Sequence, residues 1–252
     1  MIMKKTLIKN GIQTLAVVVF LVGVWWISYA VVGNPLVLPS PWKSLGMAVL
    51  LLGEGAFWYA LGTTFARALF AFVLAFVFGA IFSLVSYLYP TFGGFFEKIV
   101  ALMRSLPVLA VLLILLVGFG ASKAPVAVAF LSLFPILFSG FSSGLKELDP
   151  SLAEMSKAYD VPTKRRVVKW YLPALAPYGL RESGTALSFA LKLTVSAEIL
   201  ANTYKSLGGM MQEARTLDGE TLFALVVLTF VLATVVESVF LGLANVVERR
   251  VK

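Results

Sequence analysis

The 252-residue sequence contains no cysteine and no histidine. Without cysteine there is no disulfide framework, no thiolate nucleophile and no cysteine-based metal site. Without histidine the commonest general base and zinc ligand are missing, and with them the one side chain whose unperturbed pKa lies near neutrality. Serine–histidine catalysis is excluded. Charge is the next scarcity: 13% of residues are Asp, Glu, Lys or Arg, against about 25% in a soluble globular domain. That is too few to cover a water-facing surface. Disorder, collagen-like repeats and coiled coils also go, since each demands a more polar or more periodic composition. What the chain has instead is apolar length, with 60% hydrophobic residues and a mean hydropathy of +0.92. The composition is that of an all-α, polytopic membrane protein.

A crossing needs about 20 predominantly apolar residues, because roughly 30 Å of hydrocarbon is spanned at about 1.5 Å per residue. Six stretches meet or approach this: residues 12–32, 68–88, 99–119, 124–141, 177–201 and 222–246. The first follows Lys4, Lys5 and Lys9. Its apolar run exceeds the roughly 7–15 residues of a signal peptide and no A-x-A-like site follows, so it reads as a retained helix. The third carries Arg104 and Pro107 in its first turns, and the sixth has Glu237 as its one charge. Six crossings from a basic cytoplasmic N-terminus put both ends inside. On that topology 15 of the 21 Lys and Arg fall on inner segments and four, Lys43, Lys123, Lys205 and Arg215, on outer ones. This placement accounts for the net charge of +8, so membrane lipid is an expected partner and nucleic acid is not. There is no tandem repeat and no low-complexity linker; residues 1–252 read as one domain.

Two segments outside the spans carry local signals. In the outer one, residues 33–64, Leu38-Pro39-Ser40-Pro41-Trp42 resists helix because each proline restricts its predecessor, and a short amphipathic helix is expected near 42–52. In the inner one, residues 146–173, Asp149 precedes Pro150 as N-cap and first helical residue. A helix over 151–159 then sets Leu152, Met155 and Tyr159 on one face, and Asp160 stands where a left-handed residue is needed. Val161-Pro162 restarts the chain, and a basic helix over 163–171 is expected to end at Leu172-Pro173. Apolar side chains left in water cost about 1.5–3 kcal/mol each, so Leu152, Met155 and Tyr159 either pack on the membrane domain or dock to a partner. A loop merely solvated and drawn to anionic head groups is the simpler alternative.

The fifth span is the most polar, with Arg181, Glu182, Lys192 and Glu198. Ionisable residues inside a membrane default to the bundle interior. Thr185, Ser188 and Lys192 share one helical face; Thr194, Glu198 and Asn202 share another. Lys192 and Glu198 are about 120° apart around the helix and do not pair, which leaves Glu237 and Arg67 as candidate partners. Lys192 either borders a pathway that favours an anion or belongs to an ion pair that orients helices. Ser188, Lys192, Glu198 and Arg104 are the candidate pathway residues, although Arg104 near a helix end also suits snorkelling to the interface. Ser188 and Lys192, one turn apart, would equally suit a serine–lysine membrane hydrolase, and a channel or scaffold is a further alternative.

From Glu154 the residues run Glu-Met-Ser, three residues, Asp160, nine residues, Trp170-Tyr-Leu172-Pro173. This resembles the EAA loop, E-A-A-x3-G-x9-I-x-L-P, of permease subunits of binding-protein-dependent ABC importers. The spacing is kept; Met155, Ser156, Asp160 and Trp170 depart from the pattern. Leu38-Pro39-Ser40-Pro41, Arg104-Ser105-Leu106-Pro107, Gly118 to Lys123, Phe134-Pro135, Ala197-Glu198 and Val247-Glu248-Arg249-Arg250 resemble, in order, motifs of the nitrate/sulfonate/taurine branch. A tryptophan frequent near Leu191 is absent. The resemblance implies a type I importer permease in a plasma membrane. It further implies pairing with a second copy or a related permease, two ATPase subunits and an external solute-binding protein. No cofactor is implied, and the chain has no G-x4-G-K-[ST] loop of its own. Carried over, the helix after Pro150 would seat in a groove of the ATPase. Glu154 would be its polar contact, Leu152, Met155, Ala158 and Tyr159 its surface, Asp160 its turn, and Leu172-Pro173 the exit into span five. The implied solute is a small anion or a cofactor precursor.

Overall fold

The computed structural model describes the backbone of residues 2–35 and 37–251, and their side chains except at 2–12, 14, 15, 157, 177, 181, 217 and 243–251. Readings that rest on the side chains of Lys4, Lys5, Lys9, Lys157, Arg181, Glu248, Arg249, Arg250 and Lys252 lie outside the described residues. Among the described residues all regular structure is helical, in the order α1 (Ile2–Val32), α2 (Pro41–Leu51), α3 (Gly55–Leu88), α4 (Pro90–Ser105), α5 (Val108–Lys146), α6 (Pro150–Ala158), α7 (Thr163–Arg166), α8 (Leu172–Ala201), α9 (Leu207–Leu217) and α10 (Gly219–Val251). Four stretches among the described residues are long and apolar enough to cross a membrane: Gly55–Leu88, Val108–Lys146, Glu182–Ala201 and Gly219–Gly242. A shorter described apolar stretch, Ala16–Val32, lies in α1.

The bundle closes on small residues. Along α3 the buried stripe is Ala60, Thr64, Ala68, Ala71, Ala75 and Gly79, at helical steps of three and four. Without bulk on that stripe, α5 and α8 approach closely, which is how helices associate where lipid is as apolar as their own side chains. Gly79 marks the tightest approach to α5: a Cβ there would lie 3.2 Å from Leu137 Cβ and from the Phe138 nitrogen. Aromatic rings fill the space beside it, with Phe76 edge-on to Phe141 and Phe82 stacked on Phe96. The core runs from Ala68 to Leu145 and Tyr171 through this cluster. A second cluster, with Phe57, Val195, Leu207, Met211 and Leu225, fills the end of the bundle that carries α2 and α9.

Several helix boundaries differ from those read in the sequence, each for a local reason. The second span starts at Gly55 rather than near residue 68, because Phe57, Ala60 and Thr64 have buried partners at the α9 end. The expected helix over 99–119 is two pieces. Leu106 is extended (φ −69°, ψ 130°), as a residue before proline must be, so α4 stops at Ser105 and α5 starts after Pro107. Gly120 (φ 73°, ψ 169°) then breaks α5, and its halves fold back so that Leu112, Ala124 and Val128 share one cluster. Only glycine adopts that conformation without steric cost. The helix after Thr163 does not end at Leu172-Pro173. It widens into a π turn over Val167–Tyr171, where the Leu172 N–H bonds to the Val167 carbonyl, and continues as α8. The widened turn absorbs Pro173, which lacks an N–H and would otherwise clash with the preceding turn. The short helix expected near 42–52 is α2, led by Pro41 and buried through Ser44, Ala48 and Leu51.

Gly93 places α4 against the end of α3: a Cβ there would meet the Ser86 carbonyl oxygen at 2.5 Å and its carbonyl carbon at 3.1 Å. Backbone cannot step aside as a side chain can. Gly93→Ala is expected to lower stability by about 1–3 kcal/mol. Gly94→Ala, with nothing within 4 Å of the new Cβ, should be neutral or stabilising by about 0.5–1 kcal/mol. Thermal unfolding of the two variants side by side checks both outcomes.

Candidate functional site

The first element of interest is α6, at the end of the bundle opposite α9. Asp149 Oδ1 accepts the Ser151 N–H at 2.9 Å, capping the helix. Hydrogen bonds from the Ser151 hydroxyl and backbone hold the Asp149 carboxyl below its ordinary range. The cap is therefore in force above that range and is lost as pH falls through the lowered value. At the other end Asp160 takes φ 50°, and the Val161 N–H closes the exit on the Ser156 carbonyl at 3.0 Å. Asp160 thus adopts the conformation for which the EAA pattern uses glycine. Ala153 and Ser156 turn inward, half-buried, whereas Leu152, Glu154, Met155, Ala158 and Tyr159 all face out. Leu152, Met155 and Tyr159 remain 45%, 54% and 77% exposed, so they do not pack on the bundle. Leu172 and Pro173 are exposed at the junction with α8, directly after buried Tyr171.

The second element is a face of α8. Glu182, Thr185, Phe189, Lys192, Ser196 and Leu200 are exposed at steps of three and four, one stripe down the helix. Ser188 is not on it. Its side chain is 1% exposed with no hydrogen-bond partner for Oγ, so the face expected from spacing is split and no serine–lysine pair is assembled. Thr185 Oγ1 donates to Glu237 Oε1 at 3.5 Å, joining the stripe to α10. Beside Phe189 lies a cavity of about 260 Å³, bounded by the end of α4, both halves of α5 and α8. The cation in its wall is Arg104, whose Nη2 donates to the Pro135 carbonyl at 3.0 Å.

The third element explains Glu198, which is fully buried. Arg67 Nη1 donates to its Oε1 at 2.7 Å, and Thr64 Oγ1 and the Gly208 N–H donate to Oε2 at 2.8 and 3.3 Å. Thr64 Oγ1 in turn accepts the Leu207 N–H at 2.9 Å. One carboxylate thereby ties α3, α8 and the start of α9 together. Gly208 admits this packing: a Cβ there would press on Glu198 Cβ and lie 2.7 Å from the Val195 carbonyl. Glu198 therefore does not reach the exposed stripe, and of the two partners named from sequence it takes Arg67. Neither Thr64 nor α9 was foreseen. The available signals were Thr64 one turn before Arg67, and Ser206 ahead of Leu207, Met211 and Ala214 at helical steps; Ser206 Oγ does accept the Gly209 N–H, at 2.9 Å.

Comparison with known proteins decides what kind of molecule carries these features. Residues 75–252 match the family model described as "Binding-protein-dependent transport system inner membrane component". The chain belongs to that family. Among curated proteins it is similar to the taurine transport system permease protein TauC of Escherichia coli, at 29% identity over 81% of this chain and 75% of that one. It is also similar to the formylaminopyrimidine transport permease protein ThiX of Halalkalibacterium halodurans, at 27% over 74% of each. Among solved structures, a chain of the MetNI methionine ABC transporter in inward-facing conformations matches with a TM-score of 0.61 at 21% identity, over 79% of this chain and 96% of that one. A chain of an amino acid ABC transporter with histidines matches with a TM-score of 0.60 at 17% identity, over 77% and 94%.

The binding-protein-dependent permease is thus an inner membrane component of an ABC importer, with the helical fold of type I permeases. It is a non-enzymatic subunit whose partners include an ATPase, which hydrolyses the ATP, and a binding protein. The hydrolase, channel and scaffold alternatives are closed. The Arg67–Glu198 pair is part of this permease's framework, and removing one member strands the other. Arg67→Ala is expected to cost about 3–5 kcal/mol, while replacing both residues by leucine should cost less than the single change. Unfolding midpoints of the purified single and double variants measure the difference.

Proposed function

We propose that the permease lines a solute pathway with the exposed stripe of α8, enclosed by a second permease chain, and that α6 is the seat of the ATPase. The supporting observation is the stripe itself. Lys192 is exposed within an apolar span, with Thr185 two turns before it and Ser196 one turn after it on the same stripe. A lysine at mid-membrane facing lipid costs about 2.5–3.5 kcal/mol on insertion scales, so this face needs water or protein. Two copies meeting across the stripe supply both and make a homodimer the most economical pairing. The membrane topology consistent with this has six crossings, α6 and both chain ends on the cytoplasmic side, and α2 and α9 outside, where a binding protein docks.

Lys192 on the stripe and Arg104 in the adjoining cavity give the pathway positive charge and favour a small anion. Taurine, named for the E. coli relative, is a zwitterion whose sulfonate end suits that charge. Coupling follows from continuity. α7, the π turn and α8 form one unbroken helical path from the α6 hairpin to the stripe, so a displacement at the hairpin is transmitted rather than absorbed. Different contacts to α6 in two states of the ATPase then bias which way the pathway faces.

Lys192→Ala is expected to slow uptake about tenfold and to relax preference for anions, with assembly and melting unchanged; unaltered rate and selectivity overturn the pathway role. Glu154→Lys should reduce recovery of the ATPase in a pull-down from co-expressing cells. Equal recovery by variant and parent removes α6 from the interface.

A further inference from the structure

Behind α6, on the side away from its exposed face, a cavity of about 250 Å³ separates the coupling segment from the end of α3. Its walls include Tyr87 from the end of α3, Tyr89 just beyond it, Ala153 from α6, Thr163 and Arg166 from α7, and Tyr171 from the π turn. Arg166 is the residue in this wall with donors to spare. Its Nη2 donates to Thr163 Oγ1 at 3.0 Å and its guanidinium also faces the Tyr171 hydroxyl, but its Nε is buried without a partner. No carboxylate lies within ion-pair distance of it among the described residues. A buried guanidinium N–H without an acceptor is costly, and an incoming oxyanion is the ligand that relieves it.

The surroundings specify that ligand further. Lys164, Arg165 and Lys169 are exposed on the same segment and make it basic, Arg165 and Lys169 lining a neighbouring cavity that shares Arg166, while Glu154 is exposed on α6. The hydroxyls of Tyr87, Tyr89 and Thr163 stand in the same wall and suit a group with several acceptor oxygens. Tyr87 and Tyr171 pack edge-to-face at 5.5 Å in the cavity wall, so that wall is built of rings rather than of flexible chains. Its level is that of head groups, because Tyr89 is the first residue beyond the apolar span of α3 and is exposed.

We infer that this cavity binds a phosphate group, from an anionic phospholipid or from free phosphate, and that the occupant ties the coupling segment to α3. Its effect on coupling rests on the reading of α6 above; the binding does not. The test uses the permease purified with its ATPase in a phosphate-free, non-ionic detergent at constant ionic strength. Thermal unfolding is followed against dioctanoyl phosphatidylglycerol, dioctanoylglycerol and sodium phosphate. Phosphatidylglycerol is expected to raise the midpoint by several degrees and dioctanoylglycerol to leave it unchanged. A rise with the lipid alone identifies a head-group site; a rise with phosphate as well identifies a site for the free anion. Arg166→Gln should weaken the response about tenfold. Tyr89→Phe, at an exposed ring, should weaken it with no change in ligand-free melting. No response to either phosphate source, or responses of Arg166→Gln and Tyr89→Phe equal to the parent's, overturn the inference.

Discussion

A charge inside hydrocarbon must find a partner, and much of this permease follows from where that requirement is met within one chain. Glu198 meets it completely: a guanidinium, a hydroxyl and a backbone N–H converge on its two oxygens at 2.7, 2.8 and 3.3 Å. The same side chain fixes α9 on α8 and α3 and so shapes the end of the bundle. Lys192, six residues earlier on the same helix, has no such enclosure and stays exposed. Two ionisable residues in one span therefore have opposite meanings. The satisfied one is framework, and the unsatisfied one marks a face still to be covered. Arg104 stands between these cases, giving one bond to the Pro135 carbonyl and turning toward the cavity beside the α8 stripe.

The second constraint is backbone. Long helices would make a stiff and featureless bundle, and the permease interrupts them at a few defined places. Pro107 separates α4 from α5 and Gly120 folds α5 back on itself, and the cavity at Arg104 lies between these pieces and α8. Asn202, at φ 49°, turns the chain out of α8 and lets the Thr203 N–H close on the Glu198 carbonyl at 3.0 Å. Asp160 does the same for α6. Pro173, by contrast, is accommodated without a break, because the π turn before it loses helical hydrogen-bond register but not direction. Interruptions that shape cavities and one that is suppressed have different consequences for transmitting force.

Which of these features were legible beforehand depends on how local their causes are. The Asp149 cap, the left-handed Asp160 and the Pro41-led α2 depend on a few neighbouring residues, and sequence spacing is enough to find them. The apolar spans were legible because hydrocarbon thickness imposes length on composition. Arg67 as a partner of Glu198 could be named but not chosen, since the choice rests on α3 lying against α8. The burial of Ser188 with Thr185 and Lys192 exposed was not legible. All three share a face by spacing, but the width of a buried face is set by how neighbouring helices cross it. α9 was hidden for a similar reason: its inward Leu207, Met211 and Ala214 gain meaning only with the Thr64–Glu198 cluster beneath them.

One continuous helical path joins the turn that ends α6 to the exposed stripe of α8. From Thr163 to Lys192 that path is on the order of 45 Å at about 1.5 Å per residue. On the proposed reading, work done on the α6 hairpin reaches the middle of the membrane along a helix, not through a loop. A helix transmits both translation and rotation, and rotation matters more here. Turning α8 about its axis by roughly a quarter of a turn would bring Ser188 to the open face in place of the stripe, and Thr194, about 120° from Ser188, lies on the other side of the buried surface. Both carry hydroxyls without partners in the present arrangement. Buried unsatisfied hydroxyls are costly where they stand, which lowers the difference between this packing and one that exposes either. A helix with polar groups on both the open and the closed face is easier to rotate than one with a purely apolar back, and that is what a pathway that alternates its access requires.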